Sequence, residues 1–401
     1  MYYQFDVSSD GFFWGFDQAC DGMGAFSSNE CDVVYMNCGI HDPAGDFLTA
    51  VLAHEFEHLI HYNYDMDEYA WLDEGLAELA MWLYGHPDTI SDFPGDPDKN
   101  LTNFSGYWRD YIKSYLFSLY FYERYGGQSS VLSLVAHPAN STAGIDAVLS
   151  AQGYTEDFEA VFRDWVVANF LDDTSIGDGR FGYVGETLPP FGTIGQHTAC
   201  PVDSVEQRVK PWAADYARFT GCPAPHMGFD GSDNNRFSVR AMLLDATNPT
   251  EVVDMVLDGQ QRGTLALPQL GTTHSEAVLV YSGVQDTGTK NYLYTAGSGV
   301  VGAPETVPDR HFLRVRGSGS ATPVVVFDIA AEHAGARAHL ALYDATGRLV
   351  RHLFDGPAQA GSRECAWDGT DPSGRAVASG VYFARLRVGE EEAAARVVLI
   401  R

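Results

Sequence analysis

The spacing of hydrophobic and polar residues changes twice along the chain. From about residue 47 to 172 the apolar positions recur with helical spacing. One helix is predicted from a cap at Asp46 to about Tyr62, and a second over Leu72–Leu83, stopped by Gly85, His86 and Pro87. A third is expected over 107–125, closed by Gly126 and Gly127. A last helix is expected to be capped by Thr155, with Glu156 and Asp157 in the first turn, where the helix dipole favours them. Two short strand candidates, Phe12–Phe16 and Asp32–Asn37, lie ahead of the helices. After residue 175, Gly, Pro and Thr mark a linker. From about 211 to 300 short alternating runs recur at Phe237–Leu243, Glu251–Leu257, Ala277–Tyr281 and Asn291–Thr295, as in an all-β sandwich. A Gly/Ser stretch at 317–321 precedes a final set of strands: Pro323–Ile329, Leu340–Tyr343, Leu349–Phe354, Val381–Val388 and Ala393–Ile400. No repeat in the 20–50-residue range is visible.

These patterns predict a multidomain chain. An α+β domain over 1–200, mostly helical after a short N-terminal sheet, would be followed by β-sandwich domains over 201–316 and 317–401. A length of 401 residues fits that number of domains. With 45% apolar and 13% aromatic residues, each domain can bury a core, which excludes global disorder. The 54 acidic against 25 basic residues, a net charge of −29, exclude a sequence-independent nucleic-acid binder and argue against an anionic membrane surface as partner. Lysine is scarce, at only Lys99, Lys113, Lys210 and Lys290, which suits a secreted or salt-tolerant protein and equally a GC-rich genome. No run of 18 apolar residues predicts a membrane span. The opening MYYQFDVSSDGFFWGF lacks the features of a signal peptide, so the chain is expected either to act inside the cell or to have lost its native start. Six cysteines form no CxxC pair, which excludes zinc-ribbon and thioredoxin-like readings and points to disulfides, with connectivity open.

The chemistry concentrates in the first predicted helix. His54-Glu55-Phe56-Glu57-His58 is an HExxH pattern. At 3.6 residues per turn His54 and His58 stack on one face, where two imidazoles can hold a zinc ion at about 2.0–2.1 Å. Glu55 lies beside that face, placed to take a proton from a metal-bound water, while Leu52, Phe56 and Leu59 form the opposite stripe, expected to face the core. The pentapeptide alone is a common chance pattern; the next helix supplies the context. In WLDEGLAELA, Glu74 can provide a third ligand, Gly75 lets helices approach closely, and Glu78 can accept a hydrogen bond from the far nitrogen of a ligand histidine. A solvated acidic face would explain these glutamates too, but they sit beside the apolar stripe of Leu72, Leu76 and Leu79.

HEFEHLIH followed by WLDEGLAELA resembles the gluzincin metallopeptidases, most nearly the hyicolysin-like and immune-inhibitor-A-like secreted bacterial peptidases. DYIKSYLFSLYFYERYGG and FRDWVVANFLDD fit the same comparison, which covers roughly residues 30–173. The resemblance implies a zincin-type peptidase fold, with His54, His58 and Glu74 as zinc ligands and Glu55 as catalytic base. Asp73 departs from the asparagine common before the ligand glutamate, and the interval from His58 to Glu74 is short for the clan. A metzincin is excluded, because it requires Gly at position 61 and His at 64, which are His61 and Tyr64 here. His61 could share a helical face with His54 and His58, but three ligands strung along one straight helix span about 10 Å, so Glu74 is the expected third ligand. Tyr111-Ile112-Lys113-Ser114 resembles an aminopeptidase segment whose tyrosine stabilises the oxyanion. Tyr111 is therefore a candidate for that role, with Tyr115 next; packing in a helix core is the plainer account of most tyrosines in this stretch. His41, His86 and His137 read as solvated turn residues. The Asp-rich loops Asp88–Asp98 and Asp230–Asn235 could hold calcium, though neither has EF-hand spacing and solvation explains them as well.

The C-terminal YDATGRLVRHLFDGPAQAG and WDGTDPSGRAVASGVYFARL resemble the immunoglobulin-like domain of the flagellar hook-capping protein, over about residues 322–401. Asp344-Ala345-Thr346-Gly347 and Asp371-Pro372-Ser373-Gly374 read as hairpin turns, and Trp367 as a core anchor. Attachment, or contact with a cell surface or secretion machinery, is the role this resemblance implies. The combined expectation is a secreted or surface-bound zinc metallopeptidase, an endopeptidase acting on a protein or peptide substrate. Two rivals stay open: a surface adhesin with a structural zinc site, and a zinc hydrolase of a non-peptide bond.

Overall fold

A computed structural model describes residues 2–3, 9–20, 28–233, 235–285, 288, 290–297, 313–316, 322–329, 335–344, 347–359, 361–389 and 391–400. The Gly/Ser stretch at 317–321, the two central residues of the 344–347 turn and Asn234 in the second Asp-rich loop lie outside them. The chain divides into two compact units, residues 1–301 and 302–401.

The first unit begins with a small sheet. Strand β3 (Val34–Asn37) lies between β1 (Tyr2–Tyr3), parallel to it, and β2 (Gly11–Phe13), antiparallel. Six helices follow: α1 (Asp46–Tyr64), α2 (Ala70–Tyr84), α3 (Trp108–Arg124), α4 (Gln128–Val135), α5 (Ser141–Ala151) and α6 (Phe158–Leu171). Asp46 is the first residue of α1 rather than its cap; Gly45 takes that place, with no side-chain hydrogen bond. Likewise α6 is capped by Asp157, whose carboxylate accepts from the Ala160 N–H, and not by Thr155. Gly85, at φ 97°, closes α2 in the left-handed conformation that glycine adopts without strain. Gly75 is required for packing: a Cβ there would stand 2.6 Å from Ser118 Oγ and 2.7 Å from the Ser114 carbonyl oxygen, so the glycine lets α2 press against α3.

The remaining strands of this unit are β4 (Gly195–His197), β5 (Val202–Val209), β6 (Ala213–Thr220), β7 (His226–Gly231), β8 (Phe237–Leu244), β9 (Glu251–Met255), β10 (Arg262–Ala266), β11 (Glu276–Gly283) and β12 (Lys290–Gly297). β4 and β5 occupy the stretch expected to be linker. One sheet has the order β10-β7-β12-β5, a second β11-β8-β9, and β4 pairs with β6. Between the two larger sheets lie Ala277, Leu279 and Tyr281 of β11 with Phe229, Tyr292 and Tyr294. The alternate residues of β11, Val278 and Val280, pack on the opposite side with Trp71, Phe117, Phe158 and Trp165 of the helices. Period-two alternation along a strand places successive side chains on opposite faces, so this sheet is apolar on both.

That double burial overturns the expected fold class. A mostly helical zincin-type domain followed by two independent sandwiches is not the architecture: among the described residues strand outweighs helix. Residues 1–200 and 201–316 also do not separate at 200, because helices and middle sheets share one core that includes Trp212, Tyr216 and Met242. Within this unit a disulfide joins Cys200 and Cys222.

The second unit contains β13 (Leu313–Arg316), β14 (Val324–Ile329), β15 (Arg337–Asp344), β16 (Leu349–Pro357), β17 (Gly361–Ala366), β18 (Gly380–Val388) and β19 (Glu391–Leu399), in sheets β13-β14-β17 and β16-β15-β18-β19. On β18 the inward positions Tyr382, Ala384, Leu386 and Val388 alternate with exposed ones, the pattern of a sheet with one face in the core. Trp367 is buried against Tyr382 and donates its indole N–H to the Thr370 carbonyl at 2.9 Å.

Candidate metal centre

α1 and α2 run antiparallel, so that His54 meets Glu78 and His58 meets Asp73 and Glu74. His54 Nε2 and His58 Nε2 stand 3.1 Å apart. Glu74 Oε2 lies 3.4 Å from the first and 3.6 Å from the second, and makes no hydrogen bond. A tetrahedral ion bound at about 2.05 Å would hold its ligand atoms about 3.4 Å apart, so these three atoms have the spacing of a metal-binding triad. His54 and Glu55 are buried, which corrects the expected orientation of α1. The face carrying the chemistry points inward, while Phe56, expected in the core, is 53% exposed.

Each histidine of the triad has a carboxylate at its other nitrogen. Glu78 Oε1 is 3.3 Å from His54 Nδ1, and Asp73 Oδ2 is 3.0 Å from His58 Nδ1. Carboxylates so placed orient an imidazole and raise its basicity. Burial acts to lower the His54 pKa, yet Glu74 and Glu78 outweigh it and push it up to about 10. His58 is raised as well, by Asp73 and Glu74 against the same burial. Burial would raise Glu74, but the two imidazoles hold its carboxyl below the usual range. A divalent ion entering here would displace the imidazole protons.

Glu55 sits beside the triad, and burial raises its carboxyl above the ordinary range, partly offset by His54 and His58 and by a hydrogen bond from the Phe13 backbone. β2 thus forms a wall over Glu55. A Cβ on Gly11 would stand 3.0 Å from Glu55 Cγ, so a side chain there would crowd the carboxylate. His58 and Glu74 open on a cavity of about 250 Å³, walled also by Phe13, Tyr62, Asp65, Met66, Glu68 and Asp73.

The two tyrosine candidates diverge. Tyr115 is buried and donates to Glu186 Oε1 at 2.5 Å. Tyr111 is half-buried, its ring edge-on to Phe104, and its hydroxyl pKa is raised by burial and by the nearby charges of Glu74, Glu78 and Glu55. In the Asp-rich loops, Asp96 pairs with Lys99, Asp98 with Lys210, and Asp230 with Arg262. Asp88 is pushed up to about 7 by burial and the charge of Glu78. The contributions of Gly11 and Phe13 went unread in the sequence, because a strand far from the motif carries them. The departure at Asp73 was visible there, without any sign of which histidine it meets.

Residues 317–389 match the family model of the FlgD Ig-like domain. The C-terminal unit is therefore Ig-like. No curated protein matches the chain. Among solved structures, PorZ of Porphyromonas gingivalis, an essential bacterial surface component of the type-IX secretion system, is 18% identical, with 40% of this chain aligned to 22% of that one at a TM-score of 0.17. Dimeric latent PorU from the same organism is 11% identical, over 52% of this chain and 32% of its own, at 0.22. A β-glucuronidase of Parabacteroides merdae is 12% identical, over 44% and 26%, at 0.21. The chain thus spans a third or less of these proteins, and likenesses this slight carry no argument about fold or activity. No helix among the described residues is long and apolar enough to cross a membrane.

Proposed function

We propose that this chain is a secreted zinc metallopeptidase that cleaves peptide bonds within protein substrates. The reading is carried by the convergence of His54, His58 and Glu74 beside a buried Glu55, at a cavity open to solvent. The resemblance of HEFEHLIH and WLDEGLAELA to the gluzincin peptidases supports it. A zinc ion held by His54, His58 and Glu74 would supply Lewis acidity for the scissile carbonyl and for a water. Glu55 takes the proton as general base and passes it to the leaving amine, and its raised pKa suits both halves of that task. Glu78 and Asp73 hold the two imidazoles by Nδ1, leaving the Nε2 atoms turned toward each other, where they would be free to bind the ion. Tyr111 keeps its proton at neutral pH and is the donor proposed for the developing oxyanion. Phe13, Tyr62 and Met66 give the cavity apolar wall for substrate side chains.

Secretion is supported by the Cys200–Cys222 disulfide and by the Ig-like C-terminal unit, to which we assign attachment at a cell surface or contact with secretion machinery. The decisive test is casein cleavage that is abolished by a chelator and restored by zinc. A chain that binds zinc stoichiometrically yet cleaves nothing in a broad peptide library would sink the peptidase reading.

A further inference from the structure

One turn along the same helix pair lies a second convergence that the proposed reaction does not use. Glu57, His61 and Asp73 bring one ligand atom each to within 4.8 Å of one another. His61 Nδ1 is 3.2 Å from Asp73 Oδ1 and 3.4 Å from Glu57 Oε1. The arrangement repeats that of the first triad. Two residues four apart on α1, Glu57 and His61, face one residue of α2, just as His54 and His58 face Glu74. The set is displaced three residues along α1, about 4.5 Å, and one residue back along antiparallel α2.

Ion-pair contacts hold the trio together without hydrogen-bond geometry. His61 is 1% exposed and aims Nδ1 into the cluster, yet neither of its ring nitrogens makes a hydrogen bond, and neither do the two Glu57 carboxylate oxygens. Buried polar atoms left so are costly, which favours a ligand able to satisfy several at once. Once His61 gives up its proton to an entering ion, the two carboxylates present a double negative charge at converging atoms, which one divalent cation neutralises. The imidazole excludes the all-oxygen preference of calcium and magnesium and fits a first-row transition ion.

We infer that Glu57, His61 and Asp73 form a second metal site that takes a zinc ion beside the first centre. Asp73 couples the two, since its other oxygen faces His58 Nδ1. An ion on Asp73 withdraws negative charge from His58 and so weakens that imidazole as a ligand of the first site. The inference stands on the geometry of the trio and is independent of the proposed peptidase activity.

Equilibrium dialysis of the full chain against zinc, with the metal counted by elemental analysis, tests it. The wild-type chain should hold two zinc ions, and Glu57→Gln and His61→Asn one each. Glu57→Gln keeps the shape of its side chain, so it reports on binding even if His61→Asn disturbs folding. The double variant His54→Ala, His58→Ala should keep one ion, held by the trio. If the wild type holds one ion that Glu57→Gln and His61→Asn both retain, the trio only supports His58 and the second site is refuted, with the first centre intact. If the single ion is lost in those variants but survives in the double variant, the second site stands and the first centre falls.

Discussion

The inward face of α1 and α2 holds His54, Glu55, His61 and Glu78, all buried, with Asp73 and Glu74 close behind. In the C-terminal unit no polar or charged side chain is buried among the described residues; Val325, Phe327, Leu340, Leu386 and Trp367 fill that core. Apolar burial stabilises a fold by about 25 cal/mol per Å² with no demand on partners. Buried charge costs free energy unless paired or bound to a cation, so its concentration on one helix pair marks a place kept for chemistry rather than for stability. The helix pair affords this because α2 is anchored from behind, where Trp71, Leu72 and Leu76 join the large aromatic core of α3 and α6.

If this contrast is right, substitutions in the two regions should damage different properties. The largest effect expected is on turnover: Glu55→Gln should lower casein cleavage by about 10²–10⁴-fold, the usual share of a general base, while zinc content stays at the wild-type level. Wild-type activity in that variant would remove Glu55 from the mechanism. Trp367→Ala should do the opposite, destabilising the C-terminal unit by about 3–5 kcal/mol in denaturant unfolding and leaving casein cleavage unchanged. A loss of cleavage there would break the separation between the two regions. Smaller again, Glu78→Gln should weaken zinc affinity about 10–100-fold, measured by competition with a chelator, because His54 loses the carboxylate at Nδ1.

An intermediate case falls between the two kinds of region and is read against pH. Asp215 is buried between the middle sheets, accepts a hydrogen bond from Tyr292 Oη at 2.7 Å and is pushed up to about 7 by burial. The unfolded carboxyl titrates near 3.9, so between about pH 4 and 7 the folded state holds a proton that the unfolded state has released. Stability therefore falls as pH rises through that window, by up to ~1.4 kcal/mol per unit, and the loss persists above it. Asp215→Asn should flatten this dependence in unfolding curves recorded from pH 4 to 8. An unchanged slope would mean that Asp215 is not the source.

Much of the local structure is legible in the sequence. α1, α2 and α3, the glycine stop at Gly85 and most β-strands beyond residue 237 follow from spacing and turn residues, because helical periodicity and capping depend on near neighbours. The caps fall at Gly45 rather than Asp46 and at Asp157 rather than Thr155, because spacing alone fixes a helix start only to within a residue or two. Strands β4 and β5 were hidden in a Gly- and Pro-rich stretch whose composition resembles a linker.

The sequence by itself determined that His54 and His58 share a helical face with Glu55 beside them, and that a second helix carries Glu74 and Glu78. Only the tertiary structure decided which carboxylate meets which nitrogen, that Phe56 faces solvent, that Gly11 and Phe13 cover Glu55, and that His61 joins Glu57 and Asp73. It also decided that the middle sheets share a core with the helices, although Val278 and Val280 read from the sequence as ordinary strand residues. The reason is the range of the interactions. Spacing along one helix is set by hydrogen bonds four residues apart, whereas the register between helices and the covering of a sheet's second face depend on contacts far apart in sequence, which leave no periodic trace in the chain.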